Sequence, residues 1–252
     1  MAERYDRAVT IYSPDGHLLQ VEYAQEAVRK GSTVCGVRTN NVIVLGMEKK
    51  STSDLQEERF NRKIFTIDDH VVMTFAGLTA DARILVNRVQ VEAQSHRLNF
   101  EKPVSVEYIT RYIAQMKQKY TQSNGRRPFG LSCLVGGFDE NGTPHLFQTE
   151  PSGIFYEWTA NTTGRSAHTV REYLEKHADD IPANSDEPTA VKYIVRTLMT
   201  VSHLNQNQMD VAVLKYKQPL RMIDRNVLTD LVKVIRRELD EEAKQRARIS
   251  IS

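Results

Sequence analysis

The chain has 252 residues, 40% of them hydrophobic and 26% charged, with 34 basic side chains against 32 acidic ones and a formal net charge of +2. This is enough apolar mass for a sizeable core. The near balance of charge excludes nucleic-acid binding by bulk electrostatics, and the spread of aromatic and β-branched residues excludes extensive disorder.

The first element is a helix over 18–29, where Leu18, Val21, Ala24 and Val28 recur at helical spacing. The turn Pro14-Asp15-Gly16 precedes it, and Gly31 stands where a C-terminal cap belongs. Strand-like runs follow at 33–38, 42–48, 64–67 and 71–75, parted by polar turns such as Thr39-Asn40-Asn41 and Asp68-Asp69. Two long helices come next. One, over 79–97, carries Ala82, Leu85, Val89 and Ala93 on one stripe; the other, over 104–120, carries Val106, Ile109 and Ile113. A second group of strands is expected at 131–138, 144–149 and 154–159, with Asn141-Gly142 as the hairpin signal between the first two. Helices at 166–177 and 187–204 lead to a last strand at 209–216. A charged amphipathic helix at 226–248, with Val227, Leu231, Ile235 and Leu239 as its stripe, ends the chain.

Two groups of strands flanking paired helices imply layers, with two sheets in the middle and helices outside. The expected fold class is therefore α+β, a four-layer αββα sandwich with an extra N-terminal helix. No linker rich in Pro, Ser or Gly divides the chain, so one domain over 1–252 is expected. The start, MAERYDRAVT, has no apolar core or small-residue cleavage site, and the longest apolar runs are far short of a membrane span. An intracellular chain with no membrane partner is the expectation. Cys35 and Cys133 are then expected as buried, reduced thiols, and the sequons at Asn141 and Asn161 as turn chemistry.

A composite N-terminal pattern stands out: Tyr5-Asp6-Arg7, then Tyr12-Ser13-Pro14-Asp15-Gly16, then Gln20-Val21-Glu22-Tyr23-Ala24 and Ala27-Val28. It closely resembles the signature of proteasome alpha subunits. The likeness continues, in order, through Gly31-Ser32-Thr33, Lys63-Ile64, the run from Phe75 to Arg83, the run from Tyr120 to Gly130, and Asp210-Val211-Ala212-Val213. Within the family, Leu45 to Lys50, Gln94 to Leu98 and Ser123 to Arg127 are most similar to the alpha-4 group, also called alpha type-7.

The resemblance implies a sandwich of the N-terminal-nucleophile hydrolase type. Residues 1–31 would form a gate tail and helix, and 226–252 a charged terminal helix and tail. It implies one position in a seven-membered outer ring beside other alpha subunits and above the beta-ring subunits. Regulatory particles would dock there and unfolded proteins pass transiently, in ATP- and ubiquitin-dependent degradation in the cytoplasm and nucleus. Tyr5, Asp6, Pro14 and Tyr23 match the family's gate residues. Lys63, Gly77 and Leu78 match the pocket that accepts the C-terminal tails of activators.

Folds of this type host hydrolases whose nucleophile sits at a free N-terminus, where the α-amine accepts its proton. The aligned position here is about Ser32, after Gly31, with Lys63 placed to assist. The alternative reading is thus a hydrolase matured by cleavage at Gly31. Against it stands the segment 1–31, whose turn, helix and Tyr-Asp-Arg run are not those of a discarded propeptide. The expectation is a non-catalytic subunit without cofactor or metal. No G-x-S-x-G elbow, phosphate-binding glycine loop, H-E-x-x-H motif or Cys/His cluster occurs in the sequence. The loop Arg126-Arg127, flanked by Tyr120 and Phe129, is too short a basic feature for a nucleic-acid face. It is read as an ordering loop at a subunit contact.

Overall fold

The computed structural model describes residues 8–49, 62–201 and 208–249. In chain order it forms α1 (Leu19–Arg29), β1 (Val34–Arg38), β2 (Val42–Glu48), β3 (Ile64–Asp68), β4 (Val71–Gly77), α2 (Thr79–Phe100) and α3 (Val106–Thr121). There follow β5 (Leu131–Phe138), β6 (Pro144–Thr149), β7 (Phe155–Glu157), β8 (Ala160–Thr163), α4 (Ala167–Lys176), α5 (Glu187–Val201), β9 (Met209–Lys215), β10 (Arg221–Met222) and α6 (Arg225–Ile249).

The strands make two five-stranded sheets. One has the order β10-β9-β2-β1-β8, the other β3-β4-β5-β6-β7. Side chains on a strand alternate between faces, and that parity sorts them into three cores. On β2, Val42 and Val44 face α4, α5 and α6, while Ile43, Leu45 and Met47 face the other sheet. On β4, Val71, Met73 and Phe75 face α2 and α3, while Val72 and Ala76 face inward. Both sheets are thus covered on both faces, and the expected four layers are present. Cys35 and Cys133 are buried and free, and burial pushes the Cys35 thiol up to about 12.

Local chemistry sets the boundaries. Thr39 closes the β1–β2 hairpin, its Oγ1 accepting from the Val42 N–H at 3.1 Å. Asn141-Gly142 turns β5 into β6, with the Gly142 N–H on the Asp139 carbonyl at 2.8 Å. Ser105 caps α3 by accepting from the Tyr108 N–H, which starts that helix two residues later than its apolar spacing suggests. Beyond Val201 the expected extension of α5 lies outside the described residues.

Four expectations are corrected. The single strand at 154–159 is two strands: β7 pairs with β6 in one sheet and β8 with β1 in the other. The chain changes sheets at Trp158 and Thr159, whose backbone groups bond to Leu146 and Arg38 respectively. The sequon at Asn161 is therefore no turn. It lies buried in β8, where Asn161 donates to Gln148 at 2.5 Å and Gln148 to Ser132 at 3.3 Å, tying the sheets together. Asp68, expected in a polar turn, ends β3 instead; it is buried and bonded to Arg97 at 2.7 Å. Finally, the buried stripe of α6 is Leu228, Val232 and Ile235, with Leu231 and Leu239 partly covered and Val227 exposed.

Lys117 is the most unusual core residue. It is fully buried under α3, and its Nζ donates to the carbonyls of Leu131 and Thr149, both at 3.1 Å, and to Thr149 Oγ1 at 2.8 Å. Burial lowers its pKa, an effect the neighbouring Cys133 and Glu150 oppose. The amine joins α3 to the ends of β5 and β6, so Lys117→Met would leave two buried carbonyls without this donor. We expect a loss of roughly 2 kcal/mol in the denaturant unfolding of the full chain, and a smaller loss for Thr149→Val.

Candidate functional site

The helix α1 lies across β4 and β5 with Val21, Ala24 and Val28 buried beneath it. The turn before it is closed by the Gly16 N–H on the Ser13 carbonyl at 2.9 Å and by the His17 N–H on Ser13 Oγ at 3.0 Å. Pro14 is exposed in that turn, and Tyr23 is 47% exposed on the outer face of α1. Tyr5 and Asp6, the other two expected gate residues, lie outside the described residues.

After α1 the chain enters β1 through a tight passage at Gly31. A Cβ there would stand 2.4 Å from the Gly77 nitrogen, so only glycine fits. Gly77 itself has φ +123°, and a Cβ on it would meet the Gly130 carbonyl oxygen at 2.2 Å. Next to this contact a cavity of about 370 Å³ opens, and Lys63, Gly77 and Leu78 all line it, together with Ala27, Lys30 and Ser32. The three expected pocket residues thus share one site; Pro14 and Tyr23 are not in its wall. Lys63 Nζ donates to Ser32 Oγ at 3.0 Å and lies 5.7 Å from the Phe75 ring centroid. Leu78 is 44% exposed and forms an apolar ledge beside these amines. A cation next to an apolar ledge suits a tail that ends in a carboxylate and carries an apolar side chain.

The Lys63–Ser32 contact looks like half of a nucleophile pair, but the base is missing. Ser32 is buried and its nitrogen belongs to the Gly31–Ser32 peptide, which is not basic. The Gly31 carbonyl accepts the Arg165 N–H at 2.9 Å, and Thr33 and Arg165 both bond to Glu48, at 3.2 and 2.5 Å. This network holds the junction as ordinary structure.

A clamp that spacing did not reveal supports the site from behind. Asp81, in the first turn of α2, accepts both terminal nitrogens of Arg127 at 2.6 Å and the Gly130 N–H at 3.1 Å. Burial alone would raise the Asp81 carboxyl, yet Arg127 and the Gly130 N–H hold it below the usual carboxylate range. Both residues stand in the family-like runs, but nothing in those runs joins them. Arg126 stacks on Tyr120 at 5.1 Å, and Tyr120 on Phe129 at 4.5 Å, so the basic loop is ordered by contacts within the chain. Among the described residues no group of three or more His, Cys, Asp or Glu side chains could hold a metal ion.

Comparison with known proteins finds relatives along nearly the whole chain. Residues 28–214 match the model of the family described as "Proteasome subunit", and residues 5–27 match the N-terminal signature of the A-type members of that family. The chain is 76% identical over 243 residues to proteasome subunit alpha type-7-1B of Drosophila melanogaster, covering 96% of each chain. It is 54% identical over 250 residues to proteasome subunit alpha type-8 of Mus musculus, covering 99% of this chain and 100% of the relative.

The clamp makes a pH-dependent prediction. Because the folded Asp81 pKa is depressed, its contribution is full above the ordinary carboxylate pKa and is lost as pH falls through the folded value. Arg127→Met should destabilise the full chain by about 1–2 kcal/mol near neutrality, since the exposure of Arg127 keeps the pair below a fully buried one. Unfolding midpoints of the two proteins should converge as the pH drops below about 4; a gap that stays constant in acid would rule out the carboxylate as its source.

Proposed function

The chain belongs to the proteasome subunit family, in its alpha-type branch, and from that premise we propose that it fills one position of the outer ring, gating substrate entry and docking regulators. Alpha-type subunits are non-catalytic, and the chain is not itself a peptidase. Its place is in the cytoplasm and nucleus, in ATP- and ubiquitin-dependent degradation, with alpha and beta subunits as neighbours and unfolded proteins as passing substrates.

The observation that carries this reading is the meeting of Lys63, Gly77 and Leu78 in one cavity at the foot of α1. An activator tail would place its carboxylate near Lys63 Nζ and its apolar side chain on Leu78. The contact lies beside the Gly31–Gly77 passage, so a tail bound there presses on the end of the helix that carries the gate segment. The exposed positions of Pro14 and Tyr23 support a role in contacts with a neighbouring subunit rather than in the core. Such contacts fit a tail that is ordered in one state and released in another.

Assembly has its own support. The outer face of α2 exposes Ile84, Val91 and Leu98, by 52%, 69% and 83%. Their spacing of seven puts them along one stripe of the helix, opposite the stripe buried by Ala82, Leu85 and Val89. A stripe of this kind matches a protein–protein contact.

Two measurements test these roles separately. Lys63→Ala in the assembled particle should weaken stimulation by a C-terminal activator peptide at least tenfold, with unchanged sedimentation; an unchanged peptide response would refute the docking role. Leu98→Asp should instead block incorporation into the ring, leaving a slowly sedimenting chain with native circular dichroism. Full incorporation of that variant would remove the stripe from the assembly interface.

A further inference from the structure

The last turn of α1 has a second cavity beside it, of about 440 Å³, bounded by the end of β8 and the start of α4. Its wall carries Arg29, Arg165, His168 and Arg171, and Glu150 is its single carboxylate. Two of the arginines already have acidic partners: Arg29 bonds Glu26, and Arg165 bonds Glu48 at 2.5 Å. Arg171 differs. Among the described residues it makes one long bond, from Nη2 to the Thr162 carbonyl at 3.4 Å, and its guanidinium lies 5.7 Å from the Trp158 ring centroid. Its buried Nε has no hydrogen-bond partner among the described residues. The start of α4 adds to the positive field. Ser166 makes no side-chain cap bond there and the first turn contains no acidic residue, while the leading Ala167 N–H donates to the Gly164 carbonyl at 3.3 Å.

We propose that this cavity is a binding site for a small phosphate-bearing molecule. Its volume lies in the ordinary range for small-molecule sites, about 300–1,000 Å³. A planar guanidinium with no acidic partner among the described residues, a histidine and the positive end of a helix together form a set suited to a tetrahedral oxyanion. The Arg171 fork has no carboxylate to neutralise it among the described residues, so a phosphate would supply the missing charge. The site is separate from the Lys63 cavity. The two lie on either side of the end of α1, with Val28 and Arg29 lining one and Ala27 and Lys30 the other.

The chain supplies its own reporter, since Trp158 is its only tryptophan and sits against Arg171. The experiment is equilibrium dialysis of the full chain with radiolabelled inorganic pyrophosphate, followed in parallel by Trp158 emission. One saturable site is expected, with the emission change on the same isotherm. Arg171→Met should weaken uptake about tenfold or more, and Glu150→Gln, which removes the opposing charge without touching the donors, should tighten it about threefold. The Glu150 variant keeps the test open if Arg171→Met fails to fold. The proposal is overturned by non-saturable uptake, by equal displacement with potassium chloride of the same ionic strength, or by no change in both variants. Saturable binding of an acidic peptide with pyrophosphate silent overturns it too, by assigning the cavity to a protein ligand.

Discussion

Backbone meets backbone at Gly31, Gly77 and Gly130, and much of the molecule is arranged around that approach. The gaps left for a side chain there, 2.4 Å at Gly31 and 2.2 Å at Gly77, are well inside van der Waals contact. α1 can therefore end directly against β4 and β5, and Val28 can reach the inter-sheet core. The loop carrying Gly130 must be held to the same tolerance, which the Asp81–Arg127 clamp and the Tyr120–Phe129 stack do. Three features found separately along the chain are thus parts of one fitting, and the Lys63 cavity is the space left beside it.

Legibility in the sequence follows the strength of the local signal. The stripes of α2 and α3 are readable because a helix against a covered sheet shows a sharp apolar period. Nearly every strand is readable because burial on both faces makes it a continuous apolar run. The crossing at Trp158 and Thr159 is not, because no glycine or proline marks it and its direction depends on partners in two different sheets. Asp68 misleads for a similar reason. Only the fold brings Arg97 to it, and a carboxylate in a turn is ordinarily solvated. The α6 stripe reads one position out because Val227 is apolar yet lies outside the buried contact.

The site is legible as a set of residues more than as a geometry. Lys63, Gly77 and Leu78 stand out by likeness alone, and the fold accounts for why those types occur there: a strand-end amine, a glycine at positive φ and the residue that caps the start of α2. Pro14 and Tyr23 are legible in the same way, with their exposure the physical addition. The cationic cavity on the other side of α1 leaves no motif. Its arginines come from α1, the β8–α4 link and α4, and no local window contains them together.

The sheet change at Trp158 and Thr159 also bears on how the chain is made. β1 is flanked by β2, which follows it at once, and by β8, whose Thr162 bonds the Val34 carbonyl across 128 positions. During synthesis one edge of β1 therefore stays open until well over half the chain has emerged. Contacts of such sequence separation form slowly, and an open apolar edge is a template for unwanted pairing. The nascent chain is most vulnerable to aggregation in the interval before β8 arrives, which makes that interval the natural point for a chaperone to act.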